Sequence, residues 1–131
     1  MTQVTPIPKK KKRKKSDRQK LIAKCDTLFS LWVRSVGQCE SGRSARHGGI
    51  LQCAHGISRR YHAVRWDRRN AWSLCQACHV YYTHRPLEWD VWLEEKWGAD
   101  LHAELRALAL AGVEPDLNEL HERLKNEARA A

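Results

Sequence analysis

Four cysteines in the middle of the chain, Cys39, Cys53, Cys75 and Cys78, constrain its fold more than any other feature. Cys75 and Cys78 form a CxxC, the spacing at which two thiolates bind one ion from a tight turn. Thirteen residues separate Cys39 from Cys53, so a hairpin is needed to bring these two to the same ion. We therefore predict a structural zinc (Zn²⁺) site with four cysteine ligands. The alternative is a pair of reduced core cysteines beside an unrelated redox CxxC.

The chain has 131 residues, which suits a single domain with a small core. A bound metal ion is one common way to stabilise such a core. Because the sequence has no long apolar segment and no secretory signal, we expect a cytoplasmic location without membrane contact. In a reducing cytosol, the cysteines are better interpreted as metal ligands or core residues than as disulfides.

The formal net charge of +9 is distributed unevenly along the chain. Residues 1–20 carry +8 and residues 41–85 carry +7, whereas residues 86–131 carry −6. We interpret residues 1–15 as a disordered basic tail, either an arm that contacts DNA or a solvated segment. The second basic zone coincides with the cysteine cluster, which indicates that a polyanion is held against it.

Helical periodicity flanks the cysteine-containing region on both sides and predicts an α+β fold. Apolar residues at helical spacing predict a leading helix over residues 16–37, capped by Ser16 and stopped by Gly37. Residues 38–85 lack this periodicity and form the predicted core of the domain. Residues 86–131 are again helical and form a C-terminal extension.

Within the core, short strands are predicted over residues 50–55 and 71–74, with a helix that begins near Cys78. The extension is predicted to break at Gly98. Three of its tryptophans could stack on bases, but their helical spacing favours packing in the core. They are Trp89, Trp92 and Trp97.

Three polar residues, His55, Asn70 and His79, bracket the cysteines in the order His…Asn-x4-Cys-x2-Cys-His. This order resembles the motif of HNH nucleases. In that motif one residue is a general base that activates water, one binds a divalent ion and one orients the base. His55, His79 and Asn70 match these roles in that order, with Mg²⁺ or Mn²⁺ as the expected catalytic ion. The alternative is two buried structural histidines and an asparagine that turns the chain.

The segments 51–61, 64–70 and 74–79 resemble the NinG/Rap family of recombination nucleases from lambdoid bacteriophages. The resemblance extends from about residue 21 to about residue 112. It implies a zinc-stabilised HNH-like treble-clef (ββα-metal) core. It also implies metal-dependent cleavage of branched or single-stranded DNA intermediates of recombination, such as Holliday junctions and D-loops.

The chain departs from the family pattern at two places. The second cysteine of the family's first CxxC would fall on Gly42, and Cys53 stands where the family usually has a small residue. We therefore expect Cys53 to replace the missing thiolate.

The second departure concerns carboxylates beside the first histidine. Many HNH enzymes have an aspartate at the position of Ala54, and the family has one at the position of Gln52. Asp67, His84 or water could supply the missing ligand of the catalytic ion. The remaining histidines are interpreted as structural. They are His47, His62, His102 and His121.

Five arginines flank the candidate site, with Tyr61 and Trp66 among them. Such a patch can bind phosphates and stack an unpaired base, and its alternative is a solvated basic face. The patch borders the metal cluster, which favours DNA contact. The residues are Arg59, Arg60, Arg65, Arg68 and Arg69.

Together these features predict a structure-specific DNA endonuclease, and resolution of a junction on both strands would favour a homodimer. A non-catalytic zinc-finger DNA-binding protein is the main alternative, because the carboxylates are missing. A zinc-stabilised module that binds proteins through the acidic C-terminal helices is the third.

Overall fold

The computed structural model of the chain describes residues 4–10 and 13–131 and has the predicted α+β composition. In the described ranges a two-stranded sheet lies among helices. In chain order the elements are α1 (Asp17–Arg34), β1 (Leu51–His55), α2 (His62–Arg65), a 3-10 turn (Arg68–Asn70), β2 (Ala71–Cys75), α3 (Gln76–Thr83), α4 (Pro86–Ala111) and α5 (Leu117–Ala130).

Within the predicted tail, residues 4–10 and 13–15 are exposed and form neither helix nor strand. Residues 1–3 and 11–12, for which disorder was also predicted, lie outside the described residues. Ser16 then starts α1 with a capping box: its hydroxyl accepts from the amide of Gln19, whose side chain accepts from the amide of Ser16. This reciprocal cap satisfies two amides that would otherwise have no helical partner.

The first part of the core lies between α1 and α5. The two helices pack through apolar residues at helical spacing, as their sequences predict. Asp116 caps α5 by accepting from two backbone amides in its first turn. The buried residues of this contact are Cys25, Phe29 and Val33 from α1 and Leu117, Leu120 and Leu124 from α5.

The antiparallel sheet divides its side chains between two cores. Leu51 lies opposite Cys75, and His55 opposite Ala71. Because successive strand residues point to opposite faces, Cys53 packs beside the α1–α5 core while Ala54 belongs to the cluster beneath α3. The strands therefore place His55 on the side that faces α1.

Aromatic residues of α4 form the remaining core, as predicted for its tryptophans. Trp92 and Trp97 are buried, and Trp89 stacks on Trp92 with ring centroids 4.9 Å apart. Gly98 interrupts α4 with φ 72° and ψ 165°, so the predicted break is confirmed. No helix in the described ranges is long and apolar enough to cross a membrane.

Candidate metal centre and catalytic cleft

One cysteine and histidine cluster brings four ligand atoms together. The thiols of Cys39, Cys75 and Cys78 and a ring nitrogen of His47 all lie within 4.8 Å of one another. Cys75 ends β2 and Cys78 lies in the first turn of α3, while the other two come from the loop between α1 and β1. Three thiols and one imidazole are a common donor set for tetrahedral zinc, so the cluster could hold a structural metal ion.

The ring of His47 is oriented for this role. Its Nε2 lies 2.9 Å from the carbonyl oxygen of Arg43, which can only accept, so Nε2 carries the proton. Its Nδ1 then faces the thiols, 3.4 Å from Cys78 Sγ and 3.6 Å from Cys75 Sγ. Fixing one ring nitrogen through a backbone carbonyl is the usual way in which proteins orient a histidine ligand.

At two of the three cysteines of the cluster, the surroundings favour the thiolate, the form that binds metal. Burial raises the pKa of Cys75, but hydrogen bonds with the backbone of Cys78 and Gly48 and with His47 outweigh it and bring the pKa to about 6. The pKa of Cys39 is lowered in the same way, because hydrogen bonds outweigh its burial. Burial raises the pKa of Cys78, although the hydroxyl of Ser41 lies 3.3 Å from its sulfur.

Cys53, predicted as the fourth ligand, does not belong to this cluster in the described part of the chain, and His47 takes its place. Cys53 lies two residues further along β1 than Leu51, the partner of Cys75, and packs beside the α1–α5 core. Burial raises its pKa to about 11, so its thiol stays protonated. The sequence analysis interpreted His47 as a structural histidine and therefore left it out of the predicted ligand set.

A separate cleft of about 650 Å³ between α1, β1 and α3 brings two of the predicted catalytic residues together. His55 from β1 and His79 from α3 both line it. Gln52 of β1 also lines this cleft, as do Arg34 and Arg59. The cleft is therefore basic and contains two imidazoles.

The half-buried His55 ring is held in one tautomer. Its Nε2 donates to the backbone carbonyl of Arg65 at 2.8 Å, which leaves Nδ1 unprotonated when the ring is neutral. Burial lowers the pKa of His55, the nearby Arg59 lowers it further, and the bond to Arg65 opposes both. Neutral His55 can therefore accept a proton at Nδ1.

His79 is oriented in the opposite sense. Its Nδ1 lies 2.7 Å from Oε1 of Gln52, an acceptor, so Nδ1 carries the proton and Nε2 has a free lone pair. Burial lowers the pKa of His79, which favours the neutral, ligating form. The Nε2 atom is suited to bind a divalent ion.

Asn70 is fully buried and supports the loop between the two strands. Its Oδ1 accepts from the amide of Ile57 at 2.7 Å, and its Nδ2 donates to the carbonyls of Ile57 and Val64 at 3.1 and 3.0 Å. At the start of this loop, a Cβ on Gly56 would come within 2.5 Å of the Trp97 ring, so only glycine fits there. Asn70 thus orders the loop that follows His55.

Comparison with protein-family models, curated proteins and solved structures finds no match for this chain. Function is therefore argued from the geometry and chemistry of the site.

The predicted DNA-binding arginines fall into two groups. Arg65 pairs with Asp26, Arg68 donates to the carbonyl of Ala71, and Arg69 pairs with Asp67 and Glu104. The other two, Arg59 and Arg60, are exposed, and neither guanidinium has a partner within residues 4–10 and 13–131. Arg34, which sequence reasoning missed, lines the cleft together with Arg59.

Neither residue suggested as a substitute for the missing carboxylate lines the cleft. Asp67 is engaged with Arg69, and His84 is an exposed residue at the end of α3. Asp26 is the one acidic residue among the described residues that line the cleft, and both of its oxygens bind Arg65.

Replacing Asn70 with alanine should lower the free energy of unfolding by about 2–4 kcal/mol. The substitution would leave the amide and carbonyl of Ile57 and the carbonyl of Val64 without their partner. Urea unfolding followed by circular dichroism measures the loss. Asn126→Ala, at an exposed position of α5, is the control and should change stability by less than about 0.5 kcal/mol. Equal stability of the two variants would contradict the supporting role of Asn70.

Proposed function

We propose that this chain is an HNH-type, metal-dependent DNA endonuclease that cleaves branched or single-stranded intermediates of recombination, as its resemblance to the NinG/Rap family implies. One observation carries the proposal: His55 and His79 line the same basic cleft with complementary free nitrogens. In this proposal the free nitrogen of His55 takes a proton, and the free nitrogen of His79 binds an ion.

In the proposed reaction, water attacks a DNA phosphorus and one P–O bond breaks. His55 Nδ1 accepts the proton of the attacking water as the new P–O bond forms. The bond from Nε2 to the carbonyl of Arg65 stabilises the imidazolium that results. Held by His79 Nε2, an Mg²⁺ or Mn²⁺ ion would polarise the phosphate and stabilise the departing oxygen. Gln52 keeps Nε2 of His79 free for that role.

We further propose that Cys39, His47, Cys75 and Cys78 hold a structural Zn²⁺ ion. The donor set is complete without a solvent position, which is typical of structural sites. His79 follows Cys78 directly in α3, so an ion bound there would fix the helix that carries the proposed ligand of the catalytic ion.

Arg34 and Arg59, which line the cleft together with His55 and His79, are the proposed phosphate contacts. Arg60 is exposed and is a further candidate. Arg59→Ala should weaken binding to a similar extent for DNA of every sequence. It should also reduce, by about 1, the slope of the logarithm of the association constant against the logarithm of the salt concentration. Fluorescence anisotropy over a range of salt concentrations measures both effects.

Arg69→Ala is the matched control for Arg59→Ala. It removes the same formal charge from the same loop, but Arg69 is neutralised by Asp67 and Glu104. Equal losses in the two variants would mean that general charge, and not contact within the cleft, accounts for the effect.

Cleavage should persist to a lower pH than an ordinary histidine base would allow. Only neutral His55 accepts a proton, and burial lowers its pKa from the usual value of 6.5. The rate should therefore be more than half-maximal at pH 6.5 and fall as the pH drops through the lowered pKa. Single-turnover rates measured against pH test this, with zinc content checked at each pH. A half-maximal rate above pH 6.5 would contradict the assignment.

The function itself is tested by incubating the protein with a labelled four-way junction, a D-loop and plain duplex. Each is assayed with Mg²⁺, with Mn²⁺ and without any added divalent ion, because a chelator would also remove the proposed structural zinc. Ion-dependent cleavage of the branched substrates, with less cleavage of duplex, is the expected result. No cleavage of any substrate under any of these conditions would overturn the proposal.

A non-catalytic zinc-finger DNA-binding protein is the second candidate. One feature of the cleft favours this candidate. Among the described residues that line the cleft, the single acidic one is Asp26, and it is already paired with Arg65. Such a protein would retard DNA in a gel and leave it intact. Absence of DNA binding at moderate salt would instead favour the protein-interaction module.

A further inference from the structure

The peptide group between Arg65 and Trp66 is the point at which the His55 ring is held. Its carbonyl oxygen accepts from His55 Nε2 at 2.8 Å. This bond determines which ring nitrogen is free, so any movement of the peptide group would change the tautomer or the orientation of the ring.

The side chains on both sides of this peptide group bind the same carboxylate. Arg65 donates to Asp26 from Nε at 3.0 Å and from Nη2 at 2.6 Å. The indole Nε1 of Trp66 donates to Asp26 Oδ1 at 2.9 Å. The Arg65 and Asp26 side chains are only 15% and 27% exposed, so solvent screens this pair less than it screens a surface pair.

Asp26 and Arg65 lie on elements of very different length. Arg65 ends α2, which has four residues, within the long connection between the strands. Asp26 lies in the middle of α1, an 18-residue helix that packs on α5. The carboxylate therefore connects the loop peptide to a stable element of the fold.

We propose that Asp26 is a positioning residue for the catalytic base. By holding the Arg65–Trp66 peptide group, it keeps His55, which lines the cleft, in the tautomer with the proton on Nε2 and with Nδ1 unprotonated. This proposal rests on the proposed function, in which His55 is the base. In this role both oxygens of the Asp26 carboxylate are engaged by Arg65 and Trp66.

The test compares Asp26→Ala and Asp26→Asn with the unaltered protein. Asp67→Asn is the matched control, because Asp67 also pairs with an arginine of this loop and is similarly exposed, at 22%. Single-turnover cleavage of a four-way junction gives the rate at saturating DNA, and anisotropy gives the DNA affinity. Nitrogen chemical shifts of the His55 ring report its tautomer without any need for activity.

We expect Asp26→Ala to slow cleavage by about 10- to 100-fold, as loss of a supporting partner commonly does, and Asp26→Asn to slow it less. DNA affinity should stay the same or increase, because a negative charge leaves the cleft. The ring shifts should move toward a mixture of tautomers in Asp26→Ala and stay unchanged in Asp67→Asn. Arg65→Gln should have a similar effect, and the double variant should be little worse than either single one.

Unchanged rates and ring shifts in Asp26→Ala would overturn the proposal, as would a rate loss without any change in tautomer. If Asp26→Ala fails to fold, Asp26→Asn and Arg65→Gln decide by the same criteria. Failure of the proposed function is distinguishable, since the unaltered protein would then cleave nothing while the ring shifts would still report the role of Asp26.

Discussion

Replacing His55 with alanine should reduce cleavage of branched DNA by about 10²- to 10⁴-fold, the range that general acid–base catalysis usually contributes. The variant loses the free Nδ1 that we propose as the base, and water in the cleft cannot replace it efficiently. The ring centroids of His55 and Phe29 lie 5.7 Å apart, and His55 does not belong to the four-ligand cluster. The metal content of the variant should therefore be unaffected. Single-turnover cleavage and metal analysis on the same preparation measure the two effects.

His84→Ala is the matched control for this experiment. It removes an exposed imidazole that lies outside the cleft, and its cleavage rate should remain within about twofold of that of the unaltered protein. A separate variant, His79→Ala, lacks the nitrogen that we propose to bind the catalytic ion. It should lose activity, and higher concentrations of Mn²⁺ should restore part of that activity. Cleavage by His55→Ala at the full rate would eliminate this residue as the base, whatever the other variants do.

The short-range parts of the site could be predicted from sequence because they depend on local spacing. A CxxC at the junction of strand and helix places Cys75 and Cys78 together whatever the rest of the chain does. His79 follows them directly, so its position was fixed by the same turn. His55 and Asn70 were predicted as catalytic residues from their order in the HNH-like motif, and these roles stay predictions.

The remaining parts depend on register and on ion pairs between distant segments, which spacing alone does not determine. Pairing of Leu51 with Cys75 brings the loop before β1 to the thiols, so His47 reaches them and Cys53 does not. In the same way, the sequence alone does not show whether an arginine is free to contact DNA or is already paired with an acidic residue. Arg65 finds that partner, Asp26, 39 residues earlier in the chain.

Removing the proposed zinc ion with a chelator should unfold the domain. Structural zinc sites contribute apparent binding free energies of about 10–16 kcal/mol, comparable to or larger than the 5–15 kcal/mol that stabilises a typical domain. Only a small cluster of buried residues surrounds the site, and it includes the ligands Cys75 and Cys78 themselves. We therefore expect near-UV circular dichroism to be lost with EDTA and recovered when Zn²⁺ is added back.

Two substitutions distinguish His47 from Cys53 as the fourth ligand. His47→Ala should lower zinc affinity by at least tenfold and lower the melting temperature, because it leaves three thiols and an open position. Cys53→Ser should keep one zinc per chain, since its protonated thiol packs away from the cluster. Zinc content after competition with a chromogenic chelator measures the difference. The opposite pattern, with zinc lost in Cys53→Ser and kept in His47→Ala, would restore the four-cysteine site, and β1 would then have to pair with β2 in another register.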